Sequence, residues 1–277
     1  MNKFGILLFS LATISCMGQK EYTSPAGYNL SRPQTFNMPV ILDEISGITF
    51  ANNSDTLYAI QDENGTVFRF KPGSRDLGTT KFGKKGDYED VSVSNGNIVV
   101  LRSDGSLFAF PLNETTLEEA VSVKEWKKAL PPGEYESLYA DPVSGDVYAL
   151  CKQCQVDKKT SGVSGYLLQW SDGALAVKSS FILDAATLPK DQLKRSALKP
   201  SALTRNPKTG EWYILASVNK LLLVADRNWH IKEAHHLDPS IFPQPEGITF
   251  DKTGNLFISN ERNQAAYGTV LKFALKQ

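Results

Sequence analysis

The sequence predicts an all-β protein: a five-bladed β-propeller of four-stranded antiparallel blades, its ring closed by an N-terminal strand. Six blades is the alternative count. Three observations predict this fold. Five segments repeat one order of acidic or polar triplet, short apolar strand, turn, second strand, turn and third strand. Their equivalent positions, Ser46, Glu89, Glu136, Ser201 and Glu246, stand 43, 47, 65 and 45 residues apart, a period close to that of a four-stranded blade. The composition, 41% hydrophobic and 22% charged, is that of an ordinary globular chain.

The first unit places strands at residues 44–50, 56–60 and 66–70, the second at 87–91, 97–101 and 106–110, and the third at 134–138, 146–150 and 165–170. The fourth places them at 199–203, 211–215 and 220–224, and the fifth at 244–250, 255–259 and 268–273. Turn residues separate the first two strands each time: Asn52 to Asp55, Asn95-Gly96, Ser144-Gly145, Thr209-Gly210 and Thr253-Gly254. The 65-residue interval is read as holding two insertions, residues 155–162 and 188–198, with Pro189 opening a short helix in the second. Few residues follow Phe273, so Gly27-Tyr28-Asn29-Leu30 is the expected outer strand of the fifth blade. Pairing both chain ends in one sheet removes open edges.

Ahead of the propeller, Met1-Asn2-Lys3 is a short positive stretch and residues 4–14 are apolar. Eleven residues are too few to span a bilayer, which needs roughly 20, and they read as an export signal. Thr13-Ile14-Ser15-Cys16 resembles a bacterial lipobox, with Thr13 where Leu usually stands. Residues 1–15 are therefore expected to be a lipoprotein signal peptide, 16–26 a linker lipidated at Cys16, and 27–277 a single propeller domain. An ordinary signal peptide with a chance cysteine is the alternative. The expected location is the bacterial cell envelope, lipid-anchored to a membrane on the periplasmic or outer surface.

Export makes disulfides possible. Cys151 and Cys154 are expected to form a local disulfide, with free thiols or a redox pair as alternatives. Zinc is disfavoured, since no second C-x-x-C or H-x-x-x-H completes four ligands. Balanced charge, 30 Lys+Arg against 30 Asp+Glu, argues against nucleic acid, which selects a basic excess.

In an up-and-down blade, the segment entering the innermost strand and the turn between strands two and three lie on one face. The entry segments carry Glu44, Asp87, Glu89, Asp90, Glu134, Glu136 and Glu246; the turns carry Asp62, Glu63, Asp104 and Glu261. One face should therefore gather carboxylates around the axis. Glu89, Glu136 and Glu246 are the candidate metal ligands nearest the axis, with Asp87, Glu134 and Glu44 as a second tier. Calcium favours six to eight oxygen ligands. The alternative is structural: each acid accepts backbone N–H groups from the neighbouring blade. Catalytic residues are not identified. His230, His235 and His236 fall on an outer strand and read as surface residues, and no nucleophile elbow or phosphate-cradling loop is present.

Glu44-Ile45-Ser46-Gly47-Ile48, the 87–91 segment, and Pro245-Glu246-Gly247-Ile248-Thr249-Phe250 followed by residues 254–261 resemble the SdiA-regulated protein family. The likeness covers nearly the whole chain after the signal. It implies an exported or membrane-associated bacterial β-propeller and, through the family, calcium binding. The fourth unit departs from the pattern, with Lys199-Pro200-Ser201 where an acid would stand. The expected function is a ligand-binding or scaffold module with an axial calcium site, meeting the membrane through its lipid and a ligand or protein partner through the acidic face. The alternative is a calcium-dependent phosphoesterase or lactonase on the same scaffold.

Overall fold

A computed structural model describes residues 22–51, 54–159, 162–186, 188, 197–262 and 267–276. The expected export signal, Cys16 and most of the 188–198 insertion, including the helix expected at Pro189, lie outside the described residues. Twenty strands form five four-stranded antiparallel sheets, so the five-bladed count holds. Among the described residues there is no α-helix, only 3₁₀ turns at Val40–Leu42, Leu112–Thr116 and Val156–Lys159.

Blade 1 is β2 (Ile45–Phe50), β3 (Leu57–Gln61), β4 (Asn64–Phe70) and β5 (Gly78–Lys85). Blade 2 is β6 (Tyr88–Ser94), β7 (Asn97–Arg102), β8 (Leu107–Pro111) and β9 (Lys124–Trp126). Blade 3 is β10 (Gly133–Ala140), β11 (Val147–Cys154), β12 (Gly162–Ser171) and β13 (Ala174–Asp184). Blade 4 is β14 (Ala202–Arg205), β15 (Trp212–Ala216), β16 (Leu221–Ala225) and β17 (Ile231–His236). Blade 5 is β18 (Pro245–Phe250), β19 (Leu256–Asn260), β20 (Thr269–Phe273) and, from the other end of the chain, β1 (Gln34–Asn37).

The middle strands read as unbroken apolar runs because each blade is covered on both faces by its neighbours. Every residue of β15 and β16 is buried, as are Ile98 to Leu101 of β7. The outer strands β5 and β17 carry Lys81, Lys84, Lys85 and Lys232, charges that discourage edge-to-edge association. Asn95 and Gly96 both have positive φ, 47° and 74°, which matches the type I′ hairpin turn that their sequence favours.

The ring closes through an N-terminal strand, but not the expected one. Gln34 to Asn37 pairs with Lys272 to Thr269. Residues 27–30 instead belong to consecutive turns, with Tyr28 N–H donating to the Pro25 carbonyl and Arg32 N–H to that of Asn29. Gly27 has φ +85° and Pro33 follows, so this stretch cannot run as a strand. Its apolar side chains are used otherwise. Tyr28 and Leu30 are buried against Tyr213 and Phe250, and the Tyr28 hydroxyl donates to the Gly254 carbonyl at 2.7 Å.

One further expectation holds and one changes. Cys151 and Cys154 are joined by the expected disulfide, which lies within β11. The pairing of β10 with β11 shifts register there, which gives the two sulfurs room to meet. His235 is not a surface residue: it is 7% exposed, with Nδ1 2.8 Å from the Thr23 hydroxyl and Nε2 2.9 Å from Glu233. The extra length of the third unit lies chiefly in residues 185–201, between β13 and β14; the β12–β13 hairpin, residues 162–184, is close in length to β4–β5, residues 64–85.

Blades are pinned near the axis by short polar side chains. Asp90, 3% exposed, accepts Val91 N–H at 2.8 Å and, across the blade junction, Leu138 N–H at 2.7 Å. Ser92 accepts Ala140 N–H at 2.8 Å, and Ser259 donates to the Ser46 carbonyl at 2.7 Å. The blades approach so closely that a Cβ on Gly47 would lie 2.5 Å from the Asp90 Cα. Asp90→Ala should therefore strand two buried N–H groups at a cost of roughly 3 kcal/mol. Thermal unfolding of this variant should come about 10 °C lower; a parent-like melting temperature would contradict the pinning role.

Candidate metal centre at the acidic mouth

The site is built by two features that recur in several blades. First, backbone bonds hook the turn between the second and third strands of one blade onto the entry segment of the next. Tyr88 N–H donates to the Asp62 carbonyl at 2.9 Å, Tyr135 N–H to Ser103 at 2.9 Å, and Arg262 N–H to Asp43 at 2.7 Å. Entry segments and these turns do share one face. Second, the innermost strands slip register at the key position. Pairing shifts between Tyr88 and Asp90, Tyr135 and Ser137, and Pro245 and Gly247. Glu89, Glu136 and Glu246 thus each occupy a β-bulge, a device that re-aims a side chain out of the ladder.

The three glutamates, all half-buried, influence one another as groups around a common axis must. Burial, with Glu136 and Asp87 next, pushes the Glu89 carboxyl up to about 9. Burial, with Glu136 and Glu261, pushes Glu246 up to about 8. Glu136 is also raised by burial, against the opposing pull of Lys152. Lys152 lies among them, 3.0 Å from Glu134 and ion-paired with Glu136. Burial works against its charge, but the two glutamates hold its ammonium above the ordinary lysine range. This cation was missed in the sequence. Its signal is the disulfide itself, since Lys152 lies between Cys151 and Cys154.

The ion-sized cluster lies to one side, where blade 5 meets blade 1. One carboxylate oxygen each from Glu44, Asp62 and Glu261 lies within 4.8 Å of the others. Asp62 Oδ1 is buried without a hydrogen-bond partner. Burial, followed by Glu44, Glu63 and Asp87, raises the Asp62 carboxyl, and burial with Asp62 and Glu44 raises Glu261 to about 7. Gln244 donates to Glu261. Three oxygen donors with one left unpaired are the donor set of a hard cation, so these residues fit calcium. Among the described residues, Glu89, Glu136 and Glu246 do not form such an oxygen cluster with one another. The other acids are engaged elsewhere. Asp104 is held at about 2 by its hydrogen bonds from Arg102, 3.0 Å away, and Asp87 accepts from the Ser103 hydroxyl. The structural alternative holds for Asp90, not for the bulged glutamates.

A cavity of about 620 Å³ opens at the opposite end of the axis. None of the acids named above lines it.

No curated protein matches this sequence significantly. Among solved structures, a luciferin-regenerating enzyme matches with a TM-score of 0.52 at 10% identity, over 88% of this chain and 99% of that one. Glutaminyl cyclase from Myxococcus xanthus matches at 0.58 and 11%, over 88% and 94%. The WD40 β-propeller domain of Doa1 matches at 0.51 and 13%, over 91% and 98%. At such identities the likeness is one of fold. The family resemblance read from the sequence is met by the family model described as SdiA-regulated, which matches residues 173–265, a stretch that carries blade 4 together with Glu246 and Glu261.

Proposed function

We propose that this protein is a lipid-anchored, extracytoplasmic binding or scaffold module whose acidic mouth takes a hard cation, calcium. One observation carries the cation: the Glu44–Asp62–Glu261 triangle with its unpartnered buried oxygen. Glu89, Glu136 and Glu246 share this face, their carboxyls raised by burial and by neighbouring acids, with Lys152 ion-paired to Glu136. Bound calcium would supply a fixed double positive charge that ties blade 5 to blade 1. The cavity of about 620 Å³ opens at the other mouth, but a second, of about 470 Å³, is lined by Gln61 and Asn64, the residues flanking Asp62 and Glu63. A metal-dependent hydrolase, which needs its substrate cavity beside the metal, is therefore the second reading.

Calcium binding to the folded state alone adds about 2.7 kcal/mol at a hundredfold excess over Kd. Millimolar calcium should therefore raise the melting temperature by about 5–10 °C, and chelation should reverse it. Glu44→Gln or Glu261→Gln should remove most of this response, Glu246→Gln or Glu136→Gln a smaller part. The metal-free protein should also respond to pH. Folded values near 9, 8 and 7 for Glu89, Glu246 and Glu261 exceed the ordinary 4.5. The folded state then holds the extra protons, and their stabilising effect is full below about pH 4.5 and lost as pH rises toward 9. Melting temperature in chelator should fall across that window, and less steeply with calcium. Variants that melt like the parent with and without calcium, on a flat pH profile, would refute the site.

The anchor rests on Cys16. Cys16→Ser should release the protein from the membrane fraction or leave its signal uncleaved, read by fractionation and mass. Unchanged partition and mass would exclude lipidation there.

A further inference from the structure

The cavity at the mouth opposite the acids is not used by the cation site. Its volume of about 620 Å³ falls within the range of small-molecule pockets. Inner strands of all five blades line it. Its lining includes Ile48, Val91, Leu138, Leu203 and Ile248, one aliphatic residue from each blade. They occupy one register position, facing Ala59, Val100, Ala149, Ile214 and Ile258 on the second strands.

The charge at its mouth is of the opposite sign. Four cations line it, Arg205, Lys208, Arg227 and Lys252, against two carboxylates, Asp141 and Asp251. Both carboxylates are already engaged. Asp141 pairs with Arg205 at 3.1 Å and accepts two N–H groups of its own turn. Asp251 accepts from Thr253 and Asn255. Arg205 is further fixed by donating to the Gly210 carbonyl at 3.0 Å and by lying over the Trp212 ring. Lys252 pairs with Asp55 at 3.0 Å. Lys208 and Arg227 remain without a carboxylate partner among the described residues. Both side chains lie along turns at the mouth. A Cβ on Gly210 would come within 2.8 Å of the Arg227 guanidinium, and one on Gly254 within 3.4 Å of Lys208 Cε.

We propose that this funnel binds a small organic anion with an apolar body, its apolar part on the ring of five aliphatic side chains and its charge between Lys208 and Arg227. A concave site with low-dielectric walls and cations at its rim concentrates the field on such a ligand. This site is independent of calcium, because different residues at the opposite mouth hold the cation.

The test is calorimetric titration of the mature protein, in chelator, with octanoate as the anionic probe. Octanamide, octylammonium, butyrate and inorganic phosphate run in parallel. Octanoate should saturate one site per chain, about tenfold tighter than octanamide, butyrate or phosphate, and octylammonium should not compete. Lys208→Gln combined with Arg227→Gln should weaken octanoate by about tenfold while the melting temperature stays parental, since both side chains are exposed. Lys84→Gln, on the outer strand of blade 1, should leave binding unchanged. Four results would each overturn the proposal: no saturable octanoate binding, octanamide binding as tightly, phosphate binding as tightly, or the double variant binding like the parent.

Discussion

The rest of the molecule depends on how closely five inner strands approach one axis. That closeness leaves room for Gly47 against Asp90 but not for a Cβ, and it makes a neighbour's backbone the nearest hydrogen-bonding partner. Asp90, Ser92 and Ser259 meet that demand across the junctions. The same closeness means that any charge placed on the bulge of an inner strand meets its counterparts from other blades. Glu89, Glu136 and Glu246 are placed there, and their raised carboxyls follow from burial first and repulsion by neighbouring carboxylates second.

Charge is thus segregated along an axis in a chain whose total is zero. Carboxylates gather at one mouth, tempered by Lys152. Lys208 and Arg227, without carboxylate partners among the described residues, stand at the other, above a cavity lined in part by one aliphatic residue from each blade. The two mouths differ in chemistry because the connections reaching them differ. Entry segments and the turns between second and third strands make the acidic face, and turns between first and second strands make much of the cationic one. A single inner strand such as β6 therefore presents Glu89 at one end and Val93 toward the other.

Much of the fold was legible because each blade repeats a period and a turn. Gly96, Gly145, Gly210 and Gly254 all take the positive φ that their turn positions require. The common face of entry acids and turn acids followed from topology alone. What stayed hidden depended on contacts between distant parts of the chain. Gly27 to Leu30 carries apolar residues that suggest a strand, yet Tyr28 and Leu30 are consumed by packing beside Tyr213 and Phe250. His235 looked like an outer-strand surface residue, yet it is buried, with Thr23, 212 positions away, at its Nδ1. Asp62 and Glu261 were placed on the right face but left out of the ligand set, because their pairing with Glu44 needs blade 5 to meet blade 1 across the closure of the ring.

The central claim is that the unpartnered Asp62 oxygen and its two glutamate neighbours form a cation site. Side-chain carboxyl carbons report protonation and ligation directly, so carbon-13 NMR of labelled protein, followed through a calcium titration at constant pH, tests the claim at the atoms concerned. The account predicts that the Glu44, Asp62 and Glu261 carboxyl signals move together and reach their limit at one equivalent of calcium, while Asp104 and Asp251, already hydrogen-bonded, stay in place. Carboxyl signals of the triangle that stay fixed up to millimolar calcium would contradict it.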